Sequence, residues 1–434
     1  MKIKIKHKDY EDILTLPRTK HKKPKKQSFL FRLLLKIVSA GELRKTHFTC
    51  RRIGMEKLGK KEPCLVLMNH SSFIDLKIAA TVLFPRRFNI VTTADGFVGK
   101  KWLMRQLGCI PTTKFVGDVM LLRDMKYAFE TLESSVLMYP EAGYSFDGTA
   151  TVLPDSIGGC LKMFGVPVVM IRTYGAFAHD PLYNGLQLRK VKVSAEMEYL
   201  LSPDDIMEKS AAELGEIITK QFSFDQFRWQ VENRVAVREP FRADGLHRVL
   251  YKCPHCAAEG KMEGKNTHLT CHACGKAYEL TEYGALRATE GKTEFPHVPD
   301  WFAWQRECVR GELERGAYRM DLPVKIAVLL TDAARVFHIG EGRLLHTENG
   351  FHLTGCDGRL DYRHKPQSSY TLNADFFWYE IGDVISIGNQ KLQYYCFPQG
   401  HGAIVAKARL AAEELYKMLK KPRAPHLAAA GEEA

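Results

Sequence analysis

Cys64-Leu65-Val66-Leu67-Met68-Asn69-His70-Ser71-Ser72-Phe73-Ile74-Asp75 is the stretch on which the reading of this chain turns. Its first five residues are apolar without a break, the pattern of a short strand buried on both faces. Ser71-Ser72, followed by Leu76, Ile78, Ala79, Ala80, Val82 and Leu83, predicts a capped helix with an apolar face. His70 and Asp75 straddle the turn between strand and helix. Residues five apart on a regular helix are separated by ~140° around its axis. His70 must therefore precede the helix if Asp75, in the first or second turn, is to reach back to it. A carboxylate that fixes one ring nitrogen leaves the other to take a proton from a hydroxyl. The bland alternative has His70 and Asn69 satisfying turn and cap groups. The same spacing recurs at His7 with Asp12, in a lysine-rich tail, and at His352 with Asp357, among the turn glycines Gly350, Gly355 and Gly358. Neither context reads as a site.

Outward from this turn, short apolar runs alternate with amphipathic segments from about residue 46 to 200, which predicts an α/β layer. The expected strands are Leu65 to Met68, Phe88 to Thr92, Val136 to Tyr139, Val166 to Arg172 and Val191 to Met197. Ser202-Pro203-Asp204-Asp205 opens one further helix, with Ile206, Leu214, Ile217, Ile218 and Phe222 on its apolar side. A connection follows from about Arg228 to Leu250.

At 434 residues, 45% hydrophobic, the chain is long enough for two or three domains and is not disordered. A net charge of +13 points to an anionic partner, and much of it lies in a basic tail over residues 1–27, expected to be mobile. The apolar run Phe29-Leu30-Phe31-Arg32-Leu33-Leu34-Leu35-Lys36-Ile37-Val38 is too short and too charged to span a bilayer, and it starts too late for a signal peptide. A helix over 28–45 suits the surface of an anionic membrane. The alternative is a disordered solubilising tail leading into an ordinary buried helix. Nucleic acid is disfavoured, because no aromatic residues interleave the lysines.

Cys253-Pro254-His255-Cys256 and Cys271-His272-Ala273-Cys274 lie fourteen residues apart, the spacing of a four-thiolate zinc ribbon, expected over 248–285. Such a site has no open position and is structural. A CxxC also occurs in thioredoxin-type redox pairs, but a second pair so near argues against that. The other seven cysteines follow no framework and suit a reducing, cytoplasmic setting. A linker helix is expected over 298–316. Short strands and turns over 323–421, ending in a helix from Ala403 to Leu419, are similar in arrangement to a PH-like or GRAM-like domain, and 422–434 reads as a tail.

In order, Asn69 to Asp75, Gly108-Cys109-Ile110-Pro111-Thr112-Thr113-Lys114, Tyr139-Pro140-Glu141-Ala142-Gly143-Tyr144-Ser145 and Val166-Pro167-Val168 resemble the four blocks of the PlsC-like glycerolipid (lysophosphatidic acid) acyltransferases. The first and third blocks of that family are NHxSxxD and FPEGTRS. The resemblance implies an α/β acyltransferase domain over 46–235, a mixed sheet flanked by helices. It implies His70 as general base and Asp75 as its orienting partner, with Lys114, Glu141, Gly143, Tyr144 and Ser145 toward the acceptor. The acyl donor would be acyl-CoA or acyl carrier protein, and the acceptor a lysophospholipid hydroxyl of the 1-acylglycerol-3-phosphate type. Two departures weaken phosphate recognition: Lys114 stands where the family has Arg, and Ala142-Gly143-Tyr144 where it has Gly-Thr-Arg. Lys100, Lys101 or Arg105 could compensate.

The expected protein is thus a peripheral acyltransferase on the inner face of the cell membrane. Its rivals are an enzyme for a non-phosphate lipid acceptor and a non-catalytic lipid-binding scaffold.

Overall fold

The computed structural model describes every residue except 1, 2, 4, 116, 186, 401–402 and 421–434. Lys2, Lys4 and the tail 422–434 lie outside the described residues. A seven-stranded sheet forms the first layer, in the order Thr49–Ile53, Ser194–Leu201, Val168–Tyr174, Leu65–Met68, Ser135–Met138, Phe88–Thr93, Cys109–Thr112. The last five are mutually parallel, whereas Ser194–Leu201 runs antiparallel to Val168–Tyr174. Leu65–Met68 occupies the centre and is buried throughout, as its unbroken apolar run requires. Alternate residues feed two cores: Val66 and Met68 into one, Leu65 and Leu67 into the other.

Two strands were not expected, Thr49–Ile53 and Cys109–Thr112, and both are edges of the sheet. The first carries Arg51 and Arg52 and the second Pro111, compositions that edge strands tolerate and central ones do not. The single helix expected after Ser202 is two, Pro203–Glu208 and Ala211–Phe222. Glu213 accepts the Ser210 N–H at 2.8 Å, the donor that a continuous helix would have bonded to Ile206.

The N-terminal tail is packed rather than loose. Lys6–His7 adds a parallel strand to Phe337-His338 of the C-terminal sheet, Ile13 is fully buried, and the Tyr10 and Tyr394 hydroxyls lie 2.7 Å apart. The lysines had masked Tyr10 and Ile13, which anchor the segment, while Lys20, Lys22, Lys23, Lys25 and Lys26 stay exposed.

The cysteine unit carries a four-stranded antiparallel sheet running from Met262–Lys265 to Leu286–Ala288. It is no free-standing spacer, because its Leu269, Tyr278 and Leu280 share one core with Phe227 and with the C-terminal strands. Val298–Glu314, expected as a linker, buries Trp301, Val309 and Leu313. Its Arg306 and Arg310 pair with Glu413 and Glu414 of the last helix, Val405–Leu419. The C-terminal region is one antiparallel sheet in the order Leu360–His364, Gly350–Gly355, Arg335–Thr347, Met320–Leu330, Leu392–Pro398, Gly382–Gly388, Asn373–Trp378. That last strand and the last helix face the first layer. Phe376 stacks on Phe146 with centroids 4.3 Å apart, and Trp378 Nε1 donates to Asp95 Oδ2 at 3.1 Å.

Candidate active site

Asn69 pins the end of the central strand. Its Oδ1 accepts the Thr173 N–H at 2.8 Å, and its Nδ2 donates to Ser71 Oγ at 2.8 Å and Thr173 Oγ1 at 3.0 Å. The chain then turns before the helix Asp75–Val82. Serine was expected to cap that helix, and the roles are reversed: Asp75 Oδ2 accepts the N–H groups of Ser71 at 2.7 Å and Ser72 at 3.0 Å. The same oxygen lies 3.2 Å from His70 Nδ1. With Nδ1–H donating to it, the lone pair of Nε2 is left for substrate. One carboxylate oxygen therefore builds the turn and orients the imidazole.

The imidazole lies between two tyrosine rings, Tyr139 at 4.2 Å and Tyr144 at 4.0 Å between centroids, and its side chain is 19% exposed. Burial lowers its pKa below the usual histidine value, partly offset by the hydrogen bond and charge of Asp75. The imidazole is therefore neutral, and able to accept a proton, at pH 7.

Glu141 is buried, and its carboxylate clamps two loops. Oε2 accepts the His70 N–H at 2.8 Å and Oε1 the Thr151 N–H at 2.8 Å. Burial pushes its carboxyl up to about 7, against the pull of these two donors. Ala142 follows with φ 51°, the left-handed conformation for which the family's third block supplies glycine. Gly143 leaves open space beside its Cα. Ser145, expected toward the acceptor, spends its hydroxyl on the next turn, donating to Thr149 O at 2.6 Å and accepting from Gly148 N at 2.9 Å. Its own N–H donates to His70 O at 3.2 Å, so the third block is bonded directly to the first.

Lys114 follows the edge strand Cys109–Thr112, and its charge acts on His70. The three residues offered as compensating cations are engaged elsewhere. Lys101 Nζ donates to Asp332 O at 3.3 Å, Arg105 Nη2 to Lys23 O at 3.0 Å, and Lys100 lies over the Tyr379 ring. Thr173 and Thr151 belong to the constellation and were missed, since a lone threonine carries no signal in sequence.

Cys253, Cys256, Cys271 and Cys274 bring their Sγ atoms within 4.8 Å of one another, with Cys253–Cys274 and Cys256–Cys271 each at 3.8 Å. That edge is the one expected, about 3.8 Å, for thiolates at tetrahedral angles 2.3 Å from one ion. His255 and His272 turn to Glu294 and Glu263 instead. The donor set fits a metal ion held by four sulfurs.

Residues 50–172 match the family model of the acyltransferases. Among solved structures, the chain is similar to PlsC, the 1-acyl-sn-glycerophosphate (LPA) acyltransferase of Thermotoga maritima. The identity is 16% and the TM-score 0.37, over 44% of this chain and 76% of that one. No curated protein matches the chain.

Proposed function

We propose, from the match of residues 50–172 to the acyltransferase family model, that the protein transfers a fatty acyl group from a thioester, acyl-CoA or acyl carrier protein, to the hydroxyl of a lysophospholipid. The observation that carries this reading is the His70 Nδ1–Asp75 Oδ2 pair, which leaves Nε2 without a hydrogen bond among the described residues. Nε2 takes the hydroxyl proton as the oxygen attacks the thioester carbonyl. The C–S bond then breaks, and the leaving thiolate takes that proton from the imidazolium, which Asp75 has stabilised. No acyl-enzyme is required. Glu141 holds the backbone of His70 in place and is a positioning residue.

The chain works on a membrane surface, in this reading on the cytoplasmic inner face. The helix Phe29–Lys45 exposes Phe29, Leu30, Leu34, Ile37 and Val38, and packs beside Asp75–Val82, where Lys77 pairs with Glu42. Phe73 and Trp102 extend the apolar surface, 48% and 65% exposed, so it reaches the His70 turn itself. No helix among the described residues is long and apolar enough to cross a membrane.

Zinc is the ion that four convergent thiolates favour, and its part is to hold the cysteine unit folded. The C-terminal sheet with its closing helix serves, in this reading, the acyltransferase layer that it covers. A 1-acylglycerol-3-phosphate acceptor would need a cation where Tyr144 stands.

Purified full-length protein supplied with acyl-CoA and lysophospholipid vesicles should release free thiol in step with diacyl product. His70→Ala at undiminished thermal stability should abolish both. Product formed equally well by that variant would overturn the reading. Zinc should be present at one per chain, and its removal by chelation should lower the melting temperature.

A further inference from the structure

Asp375 belongs to the C-terminal strand Asn373–Trp378, more than two hundred residues beyond the acyltransferase blocks. The strand is held against those blocks on both sides of this residue. Phe376 stacks on Phe146 at 4.3 Å, Trp378 donates to Asp95 at 3.1 Å, and Asn373 lines one small cavity together with Lys114, Thr113 and Asp95. Asp375 interacts electrostatically with Lys114 and with Tyr144, and Lys114 in turn with His70. Asn373 and Asp375, two apart in regular register on one strand, share a face, which puts Asp375 on the side of the cavity that Lys114 lines.

Asp375 Oδ1 is buried with no hydrogen-bond partner among the described residues. An unmatched buried acceptor costs free energy unless a ligand satisfies it. Burial pushes the carboxyl up to about 7, with Lys114 opposing and Asp95 and Asp383 reinforcing the shift. Arg409 of the closing helix pairs with Glu413 at 3.1 Å and lies over the Phe146 ring. Lys114 therefore has two carboxyl groups around it, Asp95 lining the same cavity and Asp375 coupled to it electrostatically, with the Tyr144 hydroxyl beside them. A phosphate monoester carrying nearly two negative charges meets no excess of positive charge there.

We propose that Asp375 is an acceptor-selecting residue supplied by the C-terminal sheet, and that with Lys114 it takes a zwitterionic lysophospholipid head group, the ammonium at Asp375 and the phosphodiester at Lys114. This rests on the acyl-transfer reading above. It gives the C-terminal sheet a part in substrate choice, beyond covering the fold.

The test compares wild type, Asp375→Asn and Asp375→Ala on three acceptors of the same acyl chain: lysophosphatidylethanolamine, lysophosphatidylglycerol and lysophosphatidic acid, each in neutral carrier vesicles. Wild type should favour the ethanolamine lipid over lysophosphatidic acid by about tenfold or more in kcat/KM. Both variants should lose that preference, with the ethanolamine lipid falling and lysophosphatidic acid rising. Opposite movements cannot come from a loss of folding, which lowers every acceptor alike. If wild type prefers lysophosphatidic acid or lysophosphatidylglycerol, or the variants change all three in parallel, the inference falls and acyl transfer stands. If wild type acylates none of the three, the acyl-transfer reading falls and this inference with it.

Discussion

His70 with Asp75 and His352 with Asp357 share a spacing and almost nothing else. At the first, the chain turns between a buried strand and a helix, and the two side chains meet at 3.2 Å. At the second, His352 lies on the strand Gly350–Gly355, and its Nε2 pairs across the ladder with Asp361 at 2.8 Å, not with Asp357. The decoy pair is also wetter, since Asp361 is exposed and Asp75 is not. A spacing becomes a site only where the backbone between the two residues folds them together and burial changes what their charges can do.

That contrast can be broken from either side. The largest effect is expected from His70→Ala, with kcat/KM for acyl transfer down by at least about 10³-fold in a thiol-release assay, since both the base and the proton return are lost. Asp75→Asn should cost about 10²-fold, because an amide cannot stabilise the imidazolium or fix the same tautomer. It should also lower the melting temperature, because the Ser71 and Ser72 N–H groups lose their charged acceptor.

The pH profile is a milder probe. Because burial lowers the pKa of His70, kcat/KM should hold through pH 7 and fall about tenfold per unit only on acidification below the usual histidine value. A limb centred above that value would sink the assignment of His70 as a desolvated base. Glu141→Gln keeps the shape but cannot accept both backbone donors as a carboxylate does. It should reduce kcat by about tenfold with KM little changed. The smallest effect is expected on the decoy: His352→Ala should leave activity within about twofold and stability within about 1 kcal/mol in denaturant melts.

Much of this was legible in order along the chain. The central strand Leu65–Met68 and the position of His70 ahead of its helix follow from apolar periodicity and helix geometry, which are local. The four cysteines are legible for the same reason, since each CxxC knuckle is a local unit and fourteen residues suffice to close two of them on one ion. What was misread depended on neighbours. The segment read as a mobile basic tail holds Tyr10 and Ile13, to which the C-terminal sheet gives a surface to cover. Ser145 looked like part of the acceptor contacts, whereas its hydroxyl closes a turn four residues long. The edge strand Cys109–Thr112 was hidden because Pro111 is admissible only where one side of the strand goes unpaired.

By itself, then, the sequence determined the pairing of His70 with Asp75 and the clustering of the four cysteines, because each is written in residues close enough along the chain for backbone geometry to bring them together. Only the tertiary structure decided that Glu141 grips the His70 backbone, that Tyr139 and Tyr144 enclose the imidazole, and that Asp375 comes within electrostatic reach of Lys114. Those contacts join segments tens to hundreds of residues apart. Their energies come from burial and from charges in a medium of low dielectric, which no local pattern records.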